Sequence, residues 1–276
     1  LTNAQKKTLQ KLRVLFIDID HVLHHYDSYY AQQFSVATAC SFQALYPDLQ
    51  RPLSHFSCIE MAKKSYAKTG RTTAIFAEMF PGIVSEMDLY IHHHGLMCKD
   101  EGYIDRRFQK GDIPYDQELW DLLGQVKNIG IEIYALTNGT QRYGEMVLGD
   151  RVHGHAHLFD GIFGMDSVDN PNMLDKRHGA FINDILDKTG LLKVFPETSK
   201  EGAKDFDHSH LGLIDDTHRN LRSASQLFNM QTVLQVNKRD WQGPSWSDFV
   251  VHDIKNYLRS VIVANTSEPS LTYRMV

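Results

Sequence analysis

The sequence predicts an α/β protein: a doubly wound, parallel, Rossmann-like sheet with an α-helical cap domain inserted after the first strand. Three observations carry that reading. Short, continuous apolar runs recur along the chain and end in polar or acidic residues; runs without alternation suit strands buried on both faces of a parallel sheet. Stretches with helical spacing lie between several of them, and strand, helix, strand alternation makes neighbouring strands parallel. One interval, between the first and second runs, is too long for a simple crossover and must hold a domain of its own.

The first run, Val14–Ile17, stops at Asp18. The interval 27–114 follows, where a crossover needs only about 10 to 12 residues. Within it, residues 29–45, 53–68, 72–79 and 85–97 show helical spacing punctuated by Pro47, Gly70 and Pro81, which predicts a helical cap. The helical pattern Gln117–Asn128 leads into the second run, 131–136, which stops at Thr137. Residues 161–165 are a weaker strand candidate. Helical spacing over 180–186 precedes the third run, 211–214, which stops at Asp215; helical spacing over 220–228 separates it from the fourth, 232–236. The stretch 193–210 is polar, carries both charge signs and reads as an exposed loop. The expected organisation is a core domain from residues 1–26 and 115–263, a cap from 27–114 and a tail from 264–276.

Composition narrows the function. With 42% hydrophobic and 23% charged residues over 276 positions, the chain can bury a sizeable core without staples. A net charge of −5 leaves no basic excess for a nucleic-acid polymer or an anionic membrane. No apolar run approaches the ~20 residues of a membrane span, so no membrane contact is evident, and the opening LTNAQKKTLQKL lacks the apolar stretch of a signal peptide. Cys40, Cys58 and Cys98 are odd in number and share no short metal-ligand spacing, which predicts reduced thiols buried as small hydrophobes in a cytoplasmic setting. Starting on Leu1 and ending on TSEPSLTYRMV, the chain reads as a piece of something longer.

In a doubly wound sheet, chemistry is expected at the carboxyl ends of the strands. The first strand ends in Phe16-Ile17-Asp18-Ile19-Asp20, two carboxylates at i and i+2 that share one face of an extended chain. The second ends in Leu136-Thr137-Asn138-Gly139-Thr140, groups that donate to phosphoryl oxygens without adding negative charge. The third ends in Leu213-Ile214-Asp215-Asp216-Thr217. Singly, each ending also reads as a turn or a helix cap. Their coincidence on one predicted sheet edge decides. Four carboxylates in one crevice require a hard cation, oxygen ligands suit Mg²⁺, and a phosphate dianion becomes a sensible substrate. In this reading Asp18, Asp20, Asp215 and Asp216 form the metal site, while Thr137, Asn138 and backbone amides hold phosphoryl oxygens. Asp18 attacks phosphorus to form an aspartyl phosphate; Asp20 protonates the leaving alkoxide and later deprotonates water.

The arrangement resembles the haloacid dehalogenase (HAD) superfamily, whose first motif, DxDx followed by threonine or valine, is matched by Asp18, Asp20 and Val22. Aspartate at the second position is similar to the phosphatases of that family rather than to its dehalogenases or transport ATPases. Thr137 matches the second motif and Asp215-Asp216 the fourth, which implies Asp216 as the direct metal ligand with Asp215 supporting it. The resemblance covers roughly residues 11–258. LTNG, LFDGIFGMDSV, LIDDTHRNLRSASQLFNMQTVLQV and SWSDFVVHDI resemble the pyrimidine 5′-nucleotidase-like branch, which implies a nucleoside monophosphate or similar small phosphate as substrate.

Two positions depart from that pattern. The branch supplies a third-motif lysine in KP-x-P-x-A-[FY], and an ungapped match over 175–181 puts Asp175 at the lysine position. A loop can absorb one residue, so Lys176 is the expected catalytic and phosphate-binding lysine, with Lys188 and Arg177 as lesser candidates. Asn220 stands where many members of the superfamily carry another aspartate.

Two rivals stay open at this point. One is a phosphoprotein substrate, phosphotyrosine in particular, reached through a shallow cap. The other is a catalytically impaired relative that uses the fold for binding, which the displaced lysine would explain. Arg177-His178-Gly179 lacks the strand context of a histidine-phosphatase signature. His92, His93 and His94 point about 100° apart on a helix, so they cannot share one metal and are expected on a solvated or partly buried cap face.

Overall fold

The computed structural model of the chain describes residues 2–25, 28–49, 53–98, 115–149, 152–170, 172–193, 208–236 and 243–266. Six strands, β1 (Val14–Ile17), β2 (Glu132–Leu136), β3 (Gly161–Phe163), β4 (Leu211–Asp215), β5 (Gln231–Gln235) and β6 (Phe249–Val251), form one sheet in the order β3-β2-β1-β4-β5-β6. Every neighbouring pair is parallel. Ten α-helices are described: α1 (Asn3–Lys11), α2 (Ser28–Leu45), α3 (His55–Thr69), α4 (Ala74–Met79), α5 (Glu86–Met97), α6 (Gln117–Asn128), α7 (Gln141–Leu148), α8 (Gly179–Lys188), α9 (His218–Phe228) and α10 (Ile254–Thr266).

Side chains alternate across a strand, and both faces of this sheet are covered. Leu15, Ile17, Ile133, Ala135, Ile214 and Val233 pack with α1, α6, α7 and α10, whose contributions include Leu9, Leu123, Val147 and Leu258. Their neighbours Val14, Phe16, Tyr134, Leu136, Leu213 and Leu234 pack on the other face against Phe181 and Ile185 of α8 and Leu221 and Phe228 of α9. That two-sided burial is why the apolar runs are continuous.

The expected strands are all present, and the edge strand β6 is an addition. Three residues show no period, so Phe249–Val251 is a strand because β5 templates it. Helices α1, α7 and α10 are likewise additions to the sequence reading. In α1 only Leu9 is buried, so no apolar stripe exists; its start is set by a capping box in which Thr2 Oγ1 accepts from Gln5 N–H and Gln5 Oε1 accepts from Thr2 N–H. Helix α10 runs to Thr266, past the boundary at 263 expected from sequence.

Helices α2 to α5 have a small core of their own. Phe42 and Phe76 meet with ring centroids 4.6 Å apart, surrounded by Ala39, Cys58, Ala62, Val84 and Leu89. Ser54 and Ser85 cap α3 and α5, and Gly70, at φ 76°, ends α3 in the left-handed conformation that glycine adopts without penalty. Residues 50–52 and 99–114 of the expected cap, 194–207 of the expected loop and 267–276 of the expected tail lie outside the described residues. Cys58 and Cys98 are buried and Cys40 is half-buried. No helix among the described residues is long and apolar enough to cross a membrane.

Strand order positions the site. The chain lays β2 and β3 on one side of β1, then crosses to lay β4, β5 and β6 on the other. Ile17 is level with both Ala135 and Ile214, so Asp18 and Asp215 emerge side by side at the carboxyl edge. Ligand crevices of open α/β sheets form at such a reversal.

Candidate active site

Asp18 follows β1, anchored by a hydrogen bond from its N–H to the Ile214 carbonyl at 2.9 Å. Its Oδ1 lies 2.6 Å from Lys176 Nζ, and the same ammonium lies 2.6 Å from Asp215 Oδ2 and donates to the Leu136 carbonyl at 3.2 Å. Lys176 is 1% exposed, so those three acceptors account for all three of its donors. Asp175, at the ungapped lysine position, turns the other way: both its oxygens accept from Arg177 Nε at 2.9 Å, and His178 Nδ1 lies 3.0 Å away. Adjacent residues of one turn thus face opposite sides, which brings Lys176 to the acid cluster. Lys188 donates instead to the Ser167 carbonyl, and Arg177 is committed to Asp175.

Asp215 and Asp216 have different surroundings. Asp215 Oδ1 accepts from Thr217 N–H at 2.8 Å and Asn220 Nδ2 at 3.0 Å, and Oδ2 accepts from Asn220 and Lys176. Asn220 therefore orients Asp215 with a neutral donor where an aspartate would add charge. Asp216 is half-buried, borders the crevice and accepts from Thr217 Oγ1 at 3.1 Å. Oxygens of Asp18, Asp215 and Asp216 all lie within 4.8 Å of one another. Asp20, expected among the metal ligands, is outside that group; its Oδ1 instead accepts from the Tyr143 hydroxyl at 2.7 Å. The i, i+2 rule fails here because the extended chain ends at Ile17 and the backbone turns at Ile19, between the two aspartates.

Electrostatics follow from four carboxylates around one ammonium. Burial, then Asp215, push the Asp18 carboxyl well above its ordinary range, with Lys176 pulling it back. Asp216 is pushed up to about 6 by burial and Asp215. Burial raises Asp20 too, opposed by the Tyr143 hydrogen bond. Lys176 is held above its usual range despite complete burial, because Asp18 and Asp215 both favour the ammonium.

The β2 end differs from expectation in one respect. Thr137 is fully buried and does not border the crevice; its Oγ1 accepts from Gly139 N–H at 2.8 Å and so shapes the turn above it. Asn138 and Gly139 form the crevice wall there, with Asn138 Oδ1 accepting from Lys176 N–H at 3.2 Å. Thr140 then caps α7 by accepting from Tyr143 N–H. The TNG-T segment is therefore both a crevice wall and a helix start.

Opposite the acids, the crevice is walled by Phe34, Tyr66, Arg71, Tyr90, His93 and His94 from α2, α3, α5 and the turn after α3. His92 is partly buried, as the sequence allows, whereas His93 and His94 are fully buried rather than solvated or partly buried. Burial pushes His94 down to about 4 and His93 well below its ordinary value, so both present neutral rings. Arg71 pairs with Glu86 at 2.8 Å and donates to the Met173 carbonyl, while Tyr90 donates to the Asn138 carbonyl. Sequence reasoning missed Tyr143, Tyr66, Tyr90 and Arg71. Only Arg71 had a nearby signal, the helix stop at Gly70.

No protein-family model matches the chain, and no curated protein matches it either. Solved structures do match. CbbY from Rhodobacter sphaeroides, in complex with phosphate, is similar at a TM-score of 0.56 and 15% identity over 91% of this chain and 99% of that one. The HAD phosphatase from Thermococcus onnurineus matches at 0.53 and 12% identity over 91% and 98%. The L-2-haloacid dehalogenase RSc1362 matches at 0.52 and 13% identity, also over 91% and 98%. Both phosphatase and dehalogenase stand among these HAD-superfamily neighbours. At such identities they establish the fold, and the chemistry rests on this chain's own residues.

Proposed function

We propose that this chain, built on the haloacid dehalogenase fold, is a Mg²⁺-dependent phosphomonoester hydrolase that works through an aspartyl phosphate on Asp18. The observation that carries the reading is the convergence of Asp18, Asp215 and Asp216 within 4.8 Å, with the Lys176 ammonium 2.6 Å from both Asp18 and Asp215. The residues fit the ion: the donors are hard oxygens of three clustered carboxylates, and burial first, then Asp215, raises the Asp18 and Asp216 carboxyls against the opposing pull of Lys176. Asp216 would be the ligand nearest solvent, since Asp18 and Asp215 are buried and share Lys176. Bound there, Mg²⁺ supplies charge that offsets the phosphate dianion and the carboxylates.

The chain's own groups perform the transfer. Lys176 favours the ionised, nucleophilic form of Asp18 and presents positive charge to the phosphoryl oxygens. An Asp18 oxygen bonds phosphorus as the ester P–O bond breaks, and Asp20 gives its proton to the departing oxygen. Burial raises the Asp20 carboxyl, which suits a group that starts protonated. Asp20 then takes a proton from water, which attacks the acyl phosphate and releases phosphate and the Asp18 carboxylate. The facing wall of Phe34, Tyr66, Tyr90 and the neutral His93 and His94 rings favours a flat, uncharged leaving group, and a nucleoside monophosphate is the substrate class proposed.

Phosphate release from para-nitrophenyl phosphate is expected with Mg²⁺ and is expected to vanish on chelation; silence with Mg²⁺ present would leave the binding-protein rival standing. UMP and CMP are expected to outpace a phosphotyrosyl peptide, and the reverse order would transfer the substrate assignment to phosphoproteins. Stability offers a readout apart from turnover. A carboxyl whose folded pKa lies above its unfolded value penalises the fold at high pH, and the penalty fades as pH falls through the folded pKa. For Asp216 the penalty begins to fade as pH falls through about 6 and is gone near 3.8, the ordinary carboxyl value. Added Mg²⁺ should therefore raise the melting temperature most at pH 8 and progressively less towards pH 5, where protons displace it. A pH-independent shift, or none, would contradict the metal assignment.

A further inference from the structure

Tyr143 reaches the acid–base carboxylate from an element that no motif marks. It lies in the first turn of α7, is fully buried, and donates its hydroxyl to Asp20 Oδ1 at 2.7 Å. Local structure holds it there. Thr140 Oγ1 accepts from the Tyr143 N–H and sets where α7 begins. Gly139 gives the ring room, since a Cβ at that position would come within 2.7 Å of Tyr143 Cδ1. Two rings from the other side of the crevice bracket the phenol: Phe34 of α2 at 6.2 Å and 69°, and His94 of α5 at 5.7 Å and 69°. Such edge-on contacts restrict how the ring can tilt.

We propose that Tyr143 is a positioning residue for the acid–base step, holding Asp20 Oδ1 so that Oδ2 carries the exchanged proton to and from the reacting oxygens. This rests on the hydrolase reading above. In the first step the proton moves from Oδ2 to the ester oxygen, which keeps the electron pair of the breaking P–O bond. The Asp20 carboxylate so formed retains the charge-assisted hydrogen bond from the tyrosine. In the second step Oδ2 takes a proton from water as its oxygen bonds phosphorus and the Asp18 P–O bond breaks. The hydroxyl works through Asp20 and touches no reacting atom.

Tyr143→Phe keeps the ring and its packing and removes only the hydroxyl. The test measures kcat and KM on para-nitrophenyl phosphate and on phenyl phosphate, two esters of one shape whose leaving groups differ in their need for a proton. The variant is expected to lose about 10- to 100-fold in kcat/KM on phenyl phosphate, a part of what general acid catalysis contributes. On the nitrophenyl ester kcat/KM should hold, while kcat and KM fall together because hydrolysis of the acyl phosphate still needs the base. An equal loss of kcat/KM on both esters would overturn the proposal as a general disturbance of the site, and so would no loss on either. A melting temperature near that of the unmodified chain is the accompanying check. Failure of the hydrolase reading looks different, because the unmodified chain would then be silent on both esters.

Discussion

Asp18→Asn is expected to abolish phosphate release, by at least about 10⁴-fold, because an amide cannot form the acyl phosphate and the remaining groups act only around it. The fold should survive. Asp18 sits in a cluster where burial and Asp215 oppose its ionised form more strongly than Lys176 favours it, so a neutral amide of the same size relieves repulsion as it removes one Lys176 partner. The melting temperature in the absence of Mg²⁺ should not fall below that of the unmodified chain. Phosphate release and a thermal melt on the same sample check both halves, and retained turnover would remove Asp18 from the nucleophile's role.

Lys176→Met is expected to damage both activity and stability. Methionine fills similar space without the charge, leaving the Asp18 and Asp215 carboxylates buried with no ammonium 2.6 Å from each. Removing one partner of a buried ionic cluster costs about 3 to 5 kcal/mol, because the remaining charges stay uncompensated. Loss of one electrostatic stabiliser of the transition state lowers kcat by about 10²- to 10³-fold. Denaturant unfolding and turnover with excess Mg²⁺ measure the two effects. Arg177→Met and Lys188→Met are the matched comparisons: Arg177 serves Asp175 and Lys188 serves the Ser167 carbonyl, so both should keep most of the turnover. If either of them, and not Lys176→Met, silenced the chain, the lysine assignment would fall.

Legibility differed from residue to residue for physical reasons. Helices α6, α8 and α9 could be read because their spacing is helical, whereas α1, α7 and α10 on the same sheet could not; Val14–Ile17 and the run 211–214 could be read because two-sided burial writes itself as an uninterrupted apolar run. Asp18, Asp215 and Asp216 were legible for the same reason, standing where buried strands end. Asp20 was legible as the acid–base carboxylate but was also grouped with the metal ligands, because the face-sharing rule holds only on an extended chain and the backbone turns at Ile19. Thr137 was recognised as polar at a strand end, but its hydroxyl serves Gly139 N–H and leaves Asn138 and Gly139 to face the crevice. His93 and His94 were expected to be solvated or partly buried and are fully buried, because their rings pack against Phe34 of α2 and, for His94, Tyr143 of α7.

The amino-acid sequence alone determined the α/β class, the helical insertion after the first strand and the acidic strand ends, since each is written in local periodicity or in a run of neighbouring residues. Tertiary structure decided which of Lys176, Arg177 and Lys188 meets the acids, and that Tyr143 holds Asp20 from 123 positions away. Those choices are distances between segments remote in sequence. Packing sets them through strand register and helix placement, and no local pattern of residue types encodes them.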